Sequence, residues 1–341
     1  MKWIIIIFSV IAHQIYAQQS PFNQSKIDSV DGRSYSFVVS GHFYGSKSNE
    51  THLPCNTILA EIDDLNLSDH SMLICLGDLF KDVKNDIPFY EKALFSKLTL
   101  PLFNTVGNHD LTGDIYQEHY GVTDYSFQLG NDLHLFIDTE KNDGDLDEDQ
   151  LQLIRQGKDV SQAYDNVFIY THRTVWKDSY EQMDGLFMDN TQSLLATNFQ
   201  EDVLPLLKEL SERSEVYWMS GSLGSAPASF FHDEFDGIHF MATSIRGWKR
   251  DALLIVEVQD GIVHLSGQSL TGQDLLAIEK YDADFWKDNL GASEPYNWRL
   301  LPLHIKNTVI NWVFWIGALS CLIVVFIFNR IKKRRAAKPS A

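Results

Sequence analysis

The chain has 341 residues, with 28 Lys+Arg against 46 Asp+Glu and a formal net charge of −18. Seven bases (Lys2, Arg330, Lys332, Lys333, Arg334, Arg335 and Lys338) lie at the two ends and no acid does, which leaves 21 bases against 46 acids, or −25, between them. Such a surface repels phosphate backbones and excludes nucleic-acid binding as the main function.

Residues 1–17 (MKWIIIIFSVIAHQIYA) carry one charge, a short apolar run and a small residue before QQS. This is the layout of a cleaved export signal rather than of a first core strand. The stretch 36–39 (SFVV) then leads into SGHFYG. Residues 56–65 (NTILAEIDDL) have apolar positions at helical spacing, and 72–76 (MLICL) lead as a strand into GDLF. A helix is predicted over 87–98, and the run 102–106 leads into GNHD. The segment 133–138 reads as a strand, and 147–157 as a helix closed by Gly157. The acidic loop 142–150 (NDGDLDEDQ) resembles a calcium loop but lacks the glycine placement of an EF-hand. It reads better as a helix N-terminus, with Asp147, Glu148 and Asp149 at the positive end of the dipole. Residues 167–170 (VFIY) lead into THR, a helix follows around 201–210, and 216–220 (VYWMS) is another strand. The last third alternates apolar and polar residues, with a hairpin turn at Gln259-Asp260-Gly261. Strands alternating with helices imply a mixed α/β sheet, and the late hairpins imply a second sheet packed on the first.

Residues 308–328 (TVINWVFWIGALSCLIVVFIF) contain no charge and match the length that crosses a bilayer, with Trp312 and Trp315 near one edge. The basic tail 329–341 follows, and positive charge favours the cytoplasmic side. The organisation expected is therefore a signal (1–17), an exported ectodomain (18–280), a juxtamembrane connector (281–307), a transmembrane helix (308–328) and a cytoplasmic tail (329–341). The ectodomain would face the periplasm or cell exterior. Of the cysteines, Cys321 falls in the membrane segment, Cys75 reads as a small buried hydrophobe, and pairing of Cys55 with Cys75 is left open.

Polar residues gather at the ends of the predicted strands: His42 after FVVSG, Asp78 after LICLG, Asn108, His109 and Asp110 after FNTVG, and His172 after VFIYT. Taken singly, each has a plain structural explanation, since Asn, Asp and Gly dominate turns. The carboxyl ends of neighbouring strands converge in space, however, and these are side chains that bind Zn, Mn or Fe(II).

The order and spacing of these blocks resemble the calcineurin-like metallophosphoesterases, whose blocks run D-x-H, G-D-x, G-N-H-[DE], a lone His, and G-H-x-H. The resemblance covers roughly 37–267, and 119–131, 133–139 and the DEDQLQLI helix agree with it. It implies a four-layer α/β (α+β) fold, a two-sheet β-sandwich flanked by helices, with the metal site at the sheet ends. Carried over, His42 would bind a first metal, Asp78 would bridge two metals, and Asn108 and His172 would bind the second. His109 would act near the leaving group as general acid, oriented by Asp110. The implied substrate is a phosphoester or phosphorylated small molecule of unknown type.

The pattern departs from the family in three places: Ser40 stands where Asp belongs, and Ser222 and Gly224 where two imidazoles belong. Ligand counting leaves one ion (Mn, Fe or Zn) or a weakly bound pair, or no metal at all. By sequence proximity, His52, His232, Asp233 and His239 are candidate replacement ligands, and Arg173 a candidate replacement charge. Two functional readings follow, a membrane-anchored phosphoester hydrolase with an impaired or mononuclear site, and an inactive ectodomain that binds a ligand or protein partner.

Overall fold

The computed structural model describes residues 19–291 apart from 29, 31–32, 159–162, 188–195 and 225, together with 301, 305, 308–309 and 311–336. The export signal at 1–17 and most of the connector at 292–307 lie outside the described residues. Two compact units are present, 1–297 and 298–341.

The first unit is built on two mixed sheets. Strands β1 (Tyr35–Ser40), β2 (Leu73–Cys75) and β3 (Leu102–Asn104) run parallel, and the hairpin β10 (Ala252–Gln259) and β11 (Ile262–Ser269) joins them antiparallel beside β1. In the second sheet, β5 (Asp132–Phe136), β6 (Asn166–Thr171), β7 (Glu215–Ser220) and β9 (Ile238–Thr243) are parallel. Antiparallel β4 (Tyr125–Leu129) and β8 (Phe230–Phe235) close its two edges.

Side-chain alternation explains how the sheets stack. Phe37, Val39, Ile74 and Phe103 of the first sheet meet Phe136, Phe168, Tyr170 and Met219 of the second in one core. Val38, Leu73 and Leu102 point the other way, onto the helices Asn56–Ala60, Ile62–Leu67 and Val83–Tyr90. Leu135, Ile169 and Trp218 likewise pack beneath the helices Glu148–Gln156 and Leu204–Ser211. The order is helix, sheet, sheet, helix, the four-layer α/β arrangement expected. Both faces of the central strands are buried, so each large side chain contributes about 1.5–3 kcal/mol of burial.

Several local expectations are refined. The late strands do not make a sheet of their own; one hairpin completes the first sheet and the other the second. The predicted hairpin turn has Asp260 at φ 52° and Gly261 at φ 85°, both left-handed, as a two-residue type I′ turn requires. The helix expected over 56–65 breaks at Glu61 into two short pieces. Asp147 does cap the helix Glu148–Gln156, in a reciprocal capping box with Gln150. Gly157 remains right-handed at φ −61°, and its missing Cβ instead admits Leu210, 2.9 Å from where that atom would be. Cys55 and Cys75 are buried free thiols, not a disulfide.

The second unit is the helix Trp312–Ala336. One helix here, over Trp312–Lys332, is long and apolar enough to cross a membrane, with mean hydropathy 2.2. It begins four positions later than the predicted span and runs on into the basic residues.

Candidate metal centre

The centre forms where the parallel strands of both sheets end. β1 delivers His42, β2 delivers Asp78, β3 leads into Asn108, His109 and Asp110, and β6 delivers His172. Close approach of these ends depends on glycine. A Cβ on Gly221 would stand 1.8 Å from the Leu76 carbonyl oxygen, and one on Gly41 would stand 2.9 Å from the Cα of Gly221. Position 221 therefore requires glycine, because backbone must pass there.

The ligand loops are held in uncommon conformations. His42 has φ 58° and Asp78 φ 55°, with Gly77 beside it at φ 81°. Non-glycine residues in this region cost about 1–2 kcal/mol each and persist where surroundings over-determine them. The His42 N–H donates to the Gly77 carbonyl at 3.0 Å, which ties the first two loops together.

His42, Asp78 and His172 are buried and offer one ligand atom each, all within 4.8 Å of one another. His42 Nδ1 lies 3.4 Å from Asp78 Oδ2, and His172 Nε2 lies 3.6 Å from Asp78 Oδ1. His172 Nδ1 donates to the Leu76 carbonyl at 2.9 Å, which turns Nε2 toward Asp78. Neither nitrogen of His42, nor Nε2 of His172, has a hydrogen-bond partner, although all are buried. Burial, and then the charge of Arg246, holds the His42 imidazole well below its ordinary pKa, so it is neutral. Two imidazoles with unpartnered ring nitrogens and a carboxylate, all buried together, are a donor set that fits a single divalent ion. Ser40 Oγ is also buried without a partner, at the end of the same β1.

The third block wraps this group. A Cβ on Gly107 would stand 2.4 Å from Asp78 Oδ1, and the His109 N–H donates to that same oxygen at 3.1 Å. Asn108 lies between them, half-buried. His109 is oriented by the Lys81 carbonyl, to which Nδ1 donates at 2.8 Å, and its ring lies 5.0 Å from that of Tyr44. Tyr44 in turn stands 5.3 Å from the His42 ring. Asp110, expected to orient His109, instead accepts from the Phe80 and Gly107 N–H groups, both at 2.9 Å, and from Asn104 Nδ2 at 3.3 Å. It fixes the loop that presents His109. Burial and the charge of Asp78 push its carboxyl up to about 7, against the pull of those hydrogen bonds.

The replacement ligands weighed from sequence are engaged elsewhere. His52 binds Asp86 at 2.7 Å, and His232 and His239 bond each other at 3.1 Å across β8 and β9. The Asp233 carboxylate accepts from the Ala283 N–H. Arg173 makes a two-pronged pair with Glu140 at 2.9 and 2.7 Å. The residue that sequence reasoning missed is Arg246, which follows β9 and whose Nη2 donates to the Gly224 carbonyl at 3.3 Å. Its signal in the sequence is the cluster RGWKR in an otherwise acidic domain.

No protein-family model matches the sequence, and no curated protein matches it. Among solved structures, the chain is similar to GAP50, the anchor in the inner membrane complex of Plasmodium, at 13% identity and TM-score 0.49, over 76% of this chain and 95% of that one. It is also similar to a purple acid phosphatase from yellow lupin (Lupinus luteus) seeds, at 12% identity and TM-score 0.45, over 74% of this chain and 54% of that one. At these values neither likeness carries an argument about activity.

Proposed function

We propose that this chain is a membrane-anchored phosphoester hydrolase working with one divalent ion, its main unit exported and its basic tail cytoplasmic. The observation that carries the reading is the buried His42, Asp78 and His172 group with its unpartnered ring nitrogens. Those three residues would hold the ion, with Asn108 beside them. When bound, such an ion supplies Lewis-acid charge to a phosphoryl group and activates water near neutral pH.

The protein's own residues do the rest. Glycines at 41 and 221 let the strand ends close on one another, and Gly77 admits the His172 ring. Asp78, held in place by the His109 N–H, sets one carboxyl oxygen toward each of the two imidazoles. His109 is half-buried and bonded at Nδ1, so Nε2 is the atom placed to give a proton to the departing oxygen.

A second reading is favoured by Ser40, Ser222 and Gly224, where metal-binding side chains are missing from the resembled pattern. On it, the cleft binds a phosphorylated ligand or a protein partner without turnover. The full chain in detergent, loaded in turn with Mn, Fe and Zn, should be assayed on an aryl phosphomonoester and an aryl phosphodiester. Hydrolysis that Asp78→Asn and His109→Ala abolish supports the first reading. No turnover with any of the three metals leaves the second.

A further inference from the structure

The losses at 222 and 224 coincide in space with a gain. β7 and β9 are parallel neighbours, with Ser220 opposite Ala242, so the 221–224 and 244–247 segments leave adjacent strand ends. Arg246 Nη2 donates to the carbonyl of Gly224, the residue that stands where the last imidazole of the pattern belongs.

Arg246 is held from its backbone. Its N–H donates to Asp251 Oδ1 at 2.9 Å, and the Gly247 N–H donates to Oδ2 at 2.7 Å. Asp251 is fully buried and also receives Thr57 Oγ1 at 2.7 Å. On the other side, a Cβ built on Gly45 would stand 3.6 Å from the Arg246 carbonyl group, so the His42–Gly45 loop lies against it. The guanidinium acts electrostatically on His42, and Asp78 and Tyr44 act on it. Yet no carboxylate pairs with it among the described residues, in contrast to Arg173 with Glu140. Its Nε is buried with no hydrogen-bond partner. A buried donor left unpaired costs about 1–3 kcal/mol, so the position calls for an acceptor.

We propose that Arg246 is the anion-binding residue of this centre, its Nε–H and Nη–H groups donating to non-bridging oxygens of a phosphoryl group held beside His42, Asp78 and His172. The inference rests on the phosphoester reading above and names the residue that would select the phosphoryl group. The planar fork of guanidinium suits two phosphoryl oxygens at once, which a point charge does not. The domain around it carries −25, so a cation at this place favours the approach of a phosphate.

The test is inorganic phosphate binding to the Mn-loaded full chain in detergent, by titration calorimetry, for the native protein, Arg246→Gln and Arg246→Lys. Metal content and melting temperature are measured alongside, since the Asp251 contacts are to backbone and survive both changes. Arg246→Gln should raise the phosphate Kd about 10- to 100-fold with metal content unchanged, and Arg246→Lys should fall between. A Kd within twofold of native in either folded variant overturns the proposal, as does a native chain that binds no phosphate at millimolar concentration. If Arg246→Gln does not fold, Arg246→Lys decides alone. Phosphate binding that depends on Arg246 in a chain without turnover would sink the hydrolase reading only. Turnover with phosphate binding indifferent to Arg246 would sink this proposal only.

Discussion

Gly77 lies against the imidazole of His172, so closely that a Cβ at Gly77 would stand 2.5 Å from Nδ1. That nitrogen is the one that donates to Leu76, so the contact and the hydrogen bond together set the ring's orientation. Gly77→Ala would push the ring from its place and would also put alanine at φ 81°. The expected loss is about 2–5 kcal/mol, the sum of backbone strain and overpacking, with weakened metal retention. Gly113→Ala is the control: its φ is 58° but nothing lies within 4 Å of the added carbon. It should cost about 1–2 kcal/mol and leave metal content untouched. Denaturant unfolding with metal analysis checks both, and equal metal loss in the two variants would count against the role given to Gly77.

Ser40→Asp with Ser222→His supplies two of the three side chains that the resembled pattern has and this chain does not. With Arg246 in place, the metal content of that double variant should stay near that of the native chain, because a guanidinium already lies against the Gly224 carbonyl and its charge acts on His42. Adding Arg246→Ala should let a second ion bind. Plasma mass spectrometry after equilibration with Mn reads this. A second ion bound with Arg246 present would show that its charge does not guard the place.

Acid sensitivity has a distinct source between the sheets. Tyr35 on β1 donates to Asp132 at 2.8 Å, so His134 Nε2–H donates to Tyr35, and Tyr170 donates to His134 Nδ1 at 2.9 Å. Burial pushes the His134 pKa down to about 3. The unfolded chain takes up that proton near pH 6.5, before the folded one does, so the contribution is whole above 6.5 and is lost as pH falls toward 3. The slope is about 1.4 kcal/mol per pH unit for this one group. His134→Phe should flatten the pH dependence of unfolding in that window, even though it takes from the Tyr170 hydroxyl its acceptor while Tyr35 keeps Asp132. Parallel slopes for the two proteins would contradict the assignment.

The helix Trp312–Lys332 should hold the protein in membranes. Leu322→Arg places a charge near its middle, at an insertion cost of about 2.5–3.5 kcal/mol. Alkaline carbonate extraction should leave the native chain in the pellet and release part of the variant. Release of the native chain would remove the anchor from the account.

The parts of this molecule that were legible in sequence are those where a strand end and a chemically unusual side chain coincide. His42, Asp78, His109 and His172 each follow a short apolar run, and the convergence of three of them needs only parallel strands. Two packed sheets were expected, but which strand belongs to which sheet was not legible, because strands buried on both faces, such as Asn166–Thr171, read as uninterrupted apolar runs with no alternation. The helix break at Glu61 and the wide turn Glu91–Phe95 arise from packing and leave no local signature. Arg246 was missed for a different reason. Its neighbours Gly247, Trp248 and Lys249 make the segment read as an exposed loop, and only the pairing of β9 with β7 brings it to Gly224.

The account turns most directly on metal analysis of the full chain, native against Asp78→Asn and His172→Ala. Close to one tightly held divalent ion per native chain, falling below a tenth in each variant, is the result it predicts. A native chain that holds no ion after equilibration with Mn, Fe and Zn, or variants that retain the native amount, would contradict it.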